Sequence, residues 1–341
     1  MSIFDDKTIL ITGGTGSFGR YFVKPLLDHN FKEIRIFSRD EFKQEEMRQK
    51  LRNPKVKFYI GDVRDRSSVD DAMGGVDYVF HAAALKQVPS CEFFPIQATQ
   101  TNVMGSRNVI NSAISYGVSK VVSLSTDKAV YPVNALGITK ALMEKVVQST
   151  SRKLTEGQTV LTLVRYGNVL FSRGSVIPLF IKLMKENKPI PVTEPEMTRF
   201  LLPLDTAIRL VEFALENGRQ GDIFVSKAPA CSIGNLATAL KNIFQSDSET
   251  QIMGMRHGEK MFETLVSSEE LLRSENMGDY LRLGMDNRDL NYDLYLKDGD
   301  KKFTNKTESY TSANTTRLTI KEVEEMLLRQ PDIISELNQK K

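Results

Sequence analysis

Tryptophan is absent from the 341 residues, and cysteine occurs only twice, as Cys91 and Cys231. Two isolated cysteines fit no metal-ligand spacing and cannot form the disulfide framework of a small secreted protein. Every apolar run is shorter than the roughly 20 residues that span a bilayer. The first six residues lack the basic and apolar segments of a signal peptide. The sequence therefore predicts a cytoplasmic protein with no metal site and no membrane partner.

An excess of charge of one sign is also missing, because 46 basic residues are balanced by 43 acidic ones and the net charge is only +3. This balance does not favour nucleic acid as a partner. Hydrophobic residues make up 40% of the sequence, which is enough for a large core in a chain longer than one usual domain. We expect two closely packed domains.

Short β-rich runs alternate with amphipathic stretches through the first half of the sequence. The predicted strands are Thr8–Thr12, Ile34–Ser38, Val56–Ile60, Tyr78–Ala82, Val121–Ser125 and Thr159–Arg165. The predicted helices are Phe18–Leu27, Glu41–Leu51, Ser67–Met73, Ile96–Tyr116 and Ala135–Ser149. Such alternation predicts an α/β fold with a Rossmann-type, doubly wound parallel sheet.

The pattern changes after Arg165, where glycine- and proline-rich loops precede one helical stretch at Asp205–Glu216 and irregular polar sequence follows. We expect a cofactor domain of residues 1–168 and roughly 199–228. Residues 169–198 and 229–341 are expected to form a smaller, mixed C-terminal substrate domain. The segment Asp286–Thr316 has little periodicity and is too long for an ordinary loop. It is either disordered or ordered by packing over the active site or a neighbouring subunit.

The first predicted strand runs directly into glycines at positions 13, 16 and 19 and then into a helix. In a dinucleotide-binding loop the first glycine permits the tight turn, the second lets the backbone approach a diphosphate, and the third lets the helix pack on the strand. The diphosphate then meets the amide-rich N-terminus of the helix. A glycine turn without a ligand is the alternative. The context favours a dinucleotide site that includes Gly13, Thr15, Gly16, Ser17, Phe18 and Gly19.

The second strand bears on the choice between NADP and NAD. Arg39 occupies the window in which an acid would bind the ribose 2′-hydroxyl and an arginine would bind a 2′-phosphate, so NADP is favoured. Asp40 is interpreted as a helix N-cap, and Asp62 either binds the adenine amino group or caps a turn. His81 is interpreted as a packed strand-end residue, and Asn102 as a tie to the fourth or fifth strand. The other residues predicted for the cofactor site are Ser38, Val63, Ala82, Ala83, Ala84 and Tyr166.

These segments resemble a known family. Residues 12–19, 61–65, 81–89, 125–129 and 165–169 look like motifs of the extended short-chain dehydrogenases/reductases. With residues 173–178, 197–200 and 256–260, they make the whole chain similar to bacterial UDP-N-acetylglucosamine 4,6-dehydratases that invert C5, above all to the capsular enzymes. Some of those relatives carry the label UDP-glucose 4-epimerase. The resemblance implies NADP, a UDP-sugar substrate, a product for capsule or O-antigen polysaccharide, and a homo-oligomer such as a hexamer.

One position departs from the family pattern. The family's Tyr-x-x-x-Lys motif has its lysine at Lys140 but holds Leu136 where the tyrosine base is expected. A leucine cannot transfer a proton, and the resemblance implies that the capsular enzymes lack this tyrosine as well. Tyr131 is the nearest hydroxyl in the preceding loop. Lys140 is expected to hydrogen-bond the nicotinamide ribose.

Asp127 and Lys128 follow Thr126 at the end of the fifth strand, beside the expected cofactor. Loss of water across C5 and C6 of a 4-keto hexose requires a base for the C5 proton and an acid for the C6 hydroxyl. An aspartic acid with a raised pKa suits the acid, and a lysine with a lowered pKa suits the base. A helix-cap aspartate and a solvated lysine are the alternative. The predicted catalytic residues are Thr126, Asp127, Lys128 and Lys140.

Residues that would bind the UDP-sugar are mostly in the second half of the sequence. The candidates are Lys86, Asn168, Arg173, Val176, Arg199, Arg256 and Glu259. Arginines suit a diphosphate through bidentate hydrogen bonds. Two other functions stay open. A UDP-hexose 4-epimerase shares the 4-keto intermediate but needs no acid at C6, so the Asp127–Lys128 pair favours the dehydratase. A dinucleotide sensor without catalysis would explain Leu136 but not the retained catalytic residues.

Overall fold

The computed structural model describes residues 2–286 and 308–338. Its strands are β1 Thr8–Thr12, β2 Glu33–Ser38, β3 Val56–Ile60, β4 Tyr78–His81, β5 Lys120–Leu124, β6 Val160–Arg165, β7 Asn168–Val169, β8 Ile190–Val192, β9 Thr198–Leu202, β10 Ile223–Ser226, β11 Ala230–Ser232, β12 Thr250–Ile252, β13 Thr264–Val266, β14 Ser274–Met277, β15 Tyr280–Leu283 and β16 Tyr310–Thr311. Nine of them form the main sheet, in the order β14-β15-β10-β6-β5-β4-β1-β2-β3. The strands from β10 to β3 are parallel, and β14 and β15 are antiparallel to their neighbours. The predicted Rossmann-type sheet is confirmed.

Helices cover both faces of the main sheet. They are α1 Ser17–Leu26, α2 Glu41–Leu51, α3 Arg66–Met73, α4 Val88–Phe93, α5 Pro95–Ala98, α6 Gly105–Ser115, α7 Ala135–Ser151, α8 Val176–Lys185, α9 Leu204–Asn217, α10 Ile233–Phe244, α11 Ser268–Leu271, α12 Ile320–Leu328 and α13 Pro331–Asn338. Successive strand residues point to opposite faces. Ile9 and Leu10 of β1 accordingly belong to two different hydrophobic clusters, one on each face. Burial on both faces explains the continuous apolar runs of the strands.

The helix predicted over Ile96–Tyr116 is interrupted. α5 ends at Ala98, and a π-helical turn spans Thr99–Met104 before α6 begins. Asn102, in this turn, accepts a hydrogen bond from the Leu85 amide at 2.8 Å and donates one to the Leu85 carbonyl at 3.0 Å. The prediction of a tie to the fourth or fifth strand is therefore wrong in its target, because Asn102 bonds the loop that follows β4 and holds it beside the π-helical turn.

A third hydrophobic cluster lies apart from the main sheet and corrects the expectation of irregular sequence after Asp205–Glu216. It is formed largely by α8, α10, α12 and α13 and by β8. α10 and α12 begin at the side-chain caps Ser232 and Thr319. These helices are short, and the residues that cover their apolar faces are distant in sequence. Their stability therefore comes from tertiary packing more than from a long local pattern.

The segment Asp286–Thr316 is described only in part, because residues 287–307 lie outside the described ranges. Its last part packs against the rest of the chain. β16 pairs antiparallel with β13, and the Tyr310 hydroxyl donates to the Ala228 carbonyl at 3.1 Å. No helix within residues 2–286 and 308–338 is long and apolar enough to cross a membrane.

Candidate active site

A cleft of about 900 Å³ runs along the carboxyl ends of β1 to β6. In doubly wound sheets this edge is where ligands bind. Its wall contains all fifteen residues predicted to bind a dinucleotide, from the glycine loop after β1 to Tyr166 after β6. The aromatic ring of Tyr166 stacks on that of Phe18 with 5.7 Å between centroids. The fold therefore brings together in one cavity residues that are far apart in the sequence.

In the glycine loop, main-chain atoms pack directly against other main-chain atoms and leave no room for side chains between them. Gly13 has a φ of +67°, in the left-handed region, and a Cβ placed on it would lie 2.8 Å from the Ala83 nitrogen. A Cβ on Gly19 would lie 2.5 Å from the Gly14 Cα. Gly16, the N-cap of α1, contributes no side-chain hydrogen bond to the first amides of the helix. Such a cradle of main-chain amides fits the diphosphate of a dinucleotide.

Charged side chains lie at the end of the cleft formed by β2 and β3. Asp40 caps α2, as predicted, and accepts a hydrogen bond from the Lys43 amide. The Arg39 guanidinium is half exposed and lies 3.5 Å from the Asp62 carboxylate. Burial alone would raise the pKa of Asp62, but hydrogen bonds from Arg64 and the charges of both arginines hold it below its usual value. Asp62 is therefore ionised, and two cations, Arg39 and Lys43, line this end of the cleft.

His81 at the end of β4 is a packed residue, as predicted. Its Nδ1 lies 2.7 Å from the Thr12 hydroxyl and its Nε2 lies 2.8 Å from the Ser106 hydroxyl. Complete burial and the nearby charge of Lys140 lower the pKa of His81 to about 3. The imidazole is therefore neutral and fully engaged with hydroxyl groups.

The chain leaves β5 in a 3₁₀ turn, Asp127–Ala129, that directs Asp127 inward. The Asp127 Oδ1 accepts hydrogen bonds from the Thr126 hydroxyl at 2.9 Å and from the Lys128 Nζ at 3.1 Å. Its Oδ2 is buried and has no hydrogen-bond partner among the described residues. Burial raises the pKa of Asp127. Thr126 and Lys128 line the cleft, and Asp127 lies behind them.

A second buried carboxylate, not predicted from the sequence, joins this pair. Glu263 is only 3% exposed, and its Oε1 lies 3.4 Å from the Lys128 Nζ. Burial favours a neutral amine, but the charges of Asp127 and Glu263 raise the pKa of Lys128. The expectation of a lowered pKa for Lys128 is therefore wrong, because the lysine is held between two carboxylates. Glu263 follows the 256–260 motif, and no spacing in the sequence indicates that it contacts Lys128. The contact is therefore visible only in the structure.

Lys140 and Leu136 lie one helical turn apart on α7 and both line the cleft. The Lys140 Nζ donates to the Leu124 carbonyl at 2.7 Å, and burial lowers the pKa of Lys140 to about 8. Tyr131 does not reach the cleft. It is about half exposed, and its hydroxyl donates to the Glu269 carboxylate at 3.0 Å. Tyr131 therefore cannot stand in for the tyrosine that Leu136 replaces.

Three of the residues predicted to bind the sugar nucleotide line the cleft: Lys86, Asn168 and Arg173. Burial and the charge of Arg173 lower the pKa of Lys86. Four others are not on the cleft wall: Val176, Arg199, Arg256 and Glu259. Val176 packs against the third hydrophobic cluster, and the Arg199 guanidinium lies behind the cleft, 4.0 Å from Glu263. Arg256 is exposed, and its amide donates to the Glu259 carboxylate within a local turn.

Residues 9–284 match the family described as polysaccharide biosynthesis protein, and residues 286–333 match the family described as polysaccharide biosynthesis protein C-terminal. A protein named UDP-glucose 4-epimerase from Rickettsia felis is 56% identical over 339 residues, which cover 98% of this chain and 99% of that protein. The X-ray structure of Pen from Bacillus thuringiensis is 34% identical, with a TM-score of 0.88 over 96% of this chain and 99% of that one. DesIV from Streptomyces venezuelae, a dTDP-glucose 4,6-dehydratase solved with NAD bound, has a TM-score of 0.69 at 23% identity over 74% of this chain and 86% of that one.

These similarities cover nearly the whole chain, whereas the likeness to DesIV concerns the fold alone. The Rickettsia felis relative is named an epimerase, and DesIV, which shares only the fold, is named a dehydratase. The chain belongs to the polysaccharide biosynthesis protein family.

Proposed function

We propose that the chain is an NADP-dependent UDP-N-acetylglucosamine 4,6-dehydratase that inverts C5 and makes a 4-keto-6-deoxy UDP-sugar for capsule or O-antigen polysaccharide. The Asp127–Lys128 pair at the end of β5 carries the proposal. It sets a buried carboxyl group with a raised pKa 3.1 Å from an amine on the cleft wall. Loss of water across two neighbouring carbons requires an acid and a base side by side.

The cleft fits a dinucleotide, with the glycine loop for the diphosphate and Lys140 for the nicotinamide ribose. When bound, the nicotinamide would take hydride from C4 and return hydride to C6, so that it ends as it began. Arg39 and Lys43 at the other end support NADP over NAD, because two cations suit an additional phosphate. The UDP-sugar would be bound by Lys86, Asn168 and Arg173. Lys86 and Arg173, which are cationic, would contact its diphosphate.

Asp127 and Lys128 supply the proton transfers. Moving one proton from the Lys128 Nζ to the Asp127 Oδ1 turns the ion pair into a neutral amine and a carboxylic acid without changing their total charge. The amine, on the cleft wall, then removes the C5 proton. Asp127 lies behind the wall, so its proton passes to the C6 oxygen through the hydroxyl of Thr126, which lines the cleft and is hydrogen-bonded to Asp127, and water leaves. The ion pair is restored. The proton of the C4 hydroxyl passes to water as the 4-ketone forms, and water returns one proton to the opposite face of C5, which inverts that centre and balances the protons. Thr126 holds the Asp127 carboxyl group throughout.

A UDP-hexose 4-epimerase is the second candidate, because the Rickettsia felis relative carries that name. An epimerase returns hydride to the other face of C4 and has no use for a proton donor at C6. A buried carboxyl oxygen without a hydrogen-bond partner costs stability. The dehydratase gives this carboxyl group a use and the epimerase does not, so Asp127 favours the dehydratase.

The deciding experiment incubates the purified protein with UDP-N-acetylglucosamine and, separately, with UDP-glucose, measures product mass and assigns the configuration at C4 by NMR. A product lighter by one water supports the dehydratase, whereas a 4-epimer of unchanged mass contradicts it. In deuterated water the Lys128→Met variant should also stop exchanging the C5 proton. Lys188→Met is the matched control, because Lys188 is exposed and pairs only with Glu186 among the described residues. Exchange by Lys128→Met at the wild-type rate would remove Lys128 from this role.

We also infer a homo-oligomer, a hexamer being the expected size, in which the face formed by α4, α5 and α7 is an interface. α4 and α5 pack against α7. The exposed apolar residues of this face are Phe93 on α4, Phe94 between α4 and α5, Ile96 on α5, and Ile138 and Leu142 on α7. Exposed apolar side chains in such number are typical of an association surface. Light scattering of the wild type and of Phe93→Asp tests this.

A further inference from the structure

Glu263 has no part in the proton transfers proposed above, yet it is almost completely buried beside the groups that perform them. Besides the 3.4 Å contact with the Lys128 Nζ, its Oε1 lies 4.0 Å from the Arg199 Nε and its Oε2 lies 4.0 Å from the Lys260 Nζ. Together with Asp127, these are the charged groups that surround Lys128 among the described residues. Asp127 lies in the turn after β5, Arg199 lies on β9, and Lys260 and Glu263 lie in the stretch that leads into β13.

The main chain fixes Glu263 in this position. Its amide donates to the Ser312 hydroxyl at 2.9 Å, and the Ser312 amide donates to the Glu263 carbonyl at 2.8 Å. The Ser312 hydroxyl also donates to the carbonyl of Thr198, beside Arg199. Ser312 therefore fixes the main chain of Glu263 beside Lys128, and the Thr126 hydroxyl holds the Asp127 carboxylate directly.

The Glu263 Oε2 is buried and, within the described ranges, has no hydrogen-bond partner. A buried carboxylate oxygen left without a donor destabilises a fold. The charges of Lys128, Arg199 and Lys260 offset part of that cost, since they lower the pKa of Glu263. Buried ionised groups whose pKa is shifted by specific charge partners cluster at functional sites.

We infer that Glu263 is a positioning residue that controls how tightly the Asp127–Lys128 pair holds its protons. The inference rests on the proposed function for its catalytic meaning. Glu263 is not on the cleft wall, so it acts through Lys128 rather than on the sugar. A fixed negative charge favours the ammonium form of Lys128 and the neutral form of Asp127, whereas the charges of Arg199 and Lys260 oppose both effects. The directions of the pKa shifts agree, since the pKa of Asp127 and of Lys128 is raised and that of Glu263 is lowered.

The sign of the test follows from this arrangement. Glu263→Gln removes one negative charge, so both Asp127 and Lys128 should lose their protons more easily. The reaction needs a neutral amine and a protonated acid, so its pH profile has two limbs, and both should move to lower pH by about one unit or more. Glu263→Asp keeps the charge and should leave the profile near that of the wild type. A merely structural role would lower the rate and leave both limbs in place.

A second measurement needs no substrate. Competitive labelling of amines with acetic anhydride, read by mass spectrometry, follows the pH at which Lys128 becomes reactive. That pH should fall in Glu263→Gln and stay unchanged in Glu269→Gln, a matched control whose carboxylate hydrogen-bonds Tyr131 at the surface. Lys260→Met removes a cation from the same cluster and should shift the labelling to higher pH. It decides the question if Glu263→Gln does not fold.

The outcomes separate the two proposals. No loss of water from UDP-N-acetylglucosamine with the wild type would contradict the proposed function, but the labelling shift would still establish the effect of Glu263 on Lys128. Unshifted labelling in Glu263→Gln, or a shift of the same sign in Lys260→Met, would overturn the inference about Glu263. A slower Glu263→Gln enzyme with unmoved pH limbs would overturn it as well.

Discussion

Replacing Arg165 by methionine tests the charged network behind the cleft. Arg165 is 2% exposed and makes five hydrogen bonds, two to Glu144, two to Glu270 and one to the Leu265 carbonyl. Glu144 is also buried, so Arg165→Met leaves a carboxylate without its counter-charge. Breaking a buried pair from one side costs about 3–5 kcal/mol. With an unfolding entropy of roughly 2.1 cal/mol/K per residue over 341 residues, this lowers Tm by about 4–7 °C.

A double-mutant cycle isolates the pair. Glu144→Gln leaves Arg165 with Glu270 and should cost about 1.5–3 kcal/mol, in the range of a hydrogen bond to a charged group. The double variant has no buried carboxylate at residue 144 and should be less destabilised than the sum of the singles by about 1 kcal/mol or more. Arg209→Met is the control, because its pair with Asp205 is 57% and 66% exposed and is worth under about 0.5 kcal/mol. Urea titration gives the four free energies of unfolding. A cost of Arg165→Met no larger than that of the control, or strict additivity, would refute the reasoning.

Three further changes address the chemistry. Asp127→Asn should lower product formation by about 10²-fold or more with cofactor affinity unchanged. The pKa of Asp127 is raised in the folded state, so the wild type loses stability as pH rises above the ordinary aspartate pKa. The Tm of Asp127→Asn should not show this loss. If the Tm of the variant and of the wild type fall in parallel with pH, the raised pKa of Asp127 is contradicted. Arg39→Ala should reduce the preference for NADP over NAD in fluorescence titration, and equal affinity of the wild type for both would count against the role of Arg39. The cofactor affinity of the wild type should fall as pH rises through about 8, where Lys140 loses its charge. The affinity of Lys140→Gln should not change over the same pH range. A wild-type affinity that stays constant to pH 9 would remove Lys140 from ribose binding.

The parts of the fold that the sequence predicted are those with local signals. Short β-rich apolar runs placed β1 and β3 at their observed bounds, and the glycine spacing placed the loop that follows β1. The side-chain cap at Asp40 needs only three residues of sequence, and it was also predicted. The division into two domains and the binding roles of the cleft residues stay predictions.

The parts that could not be predicted depend on neighbours that only tertiary structure supplies. The pKa of Lys128 is raised rather than lowered because the charge of Asp127 is joined by that of Glu263, which comes from a distant part of the sequence. Tyr131 is close to Leu136 in sequence, but its hydroxyl is held at the surface by Glu269. Arg199 belongs to a family motif, yet strand β9 places its guanidinium behind the cleft. Sequence spacing indicates which residues are near each other along the chain, but it does not indicate contacts between residues that are distant in sequence.

The pairing of β13 with β16, and the Ser312 bonds beside it, set an order of events during protein synthesis. Ribosomes deliver a chain from its N-terminus at about 5–20 residues per second, and completed units fold as they emerge. The strands up to β6 and the glycine loop are synthesised before Glu263, and Glu263 before Ser312. A nascent chain can therefore fold the glycine loop while Lys128 still has one carboxylate partner. The cleft that we propose for the coenzyme takes shape first, and the charged cluster around Lys128 is complete only after translation has passed Ser312.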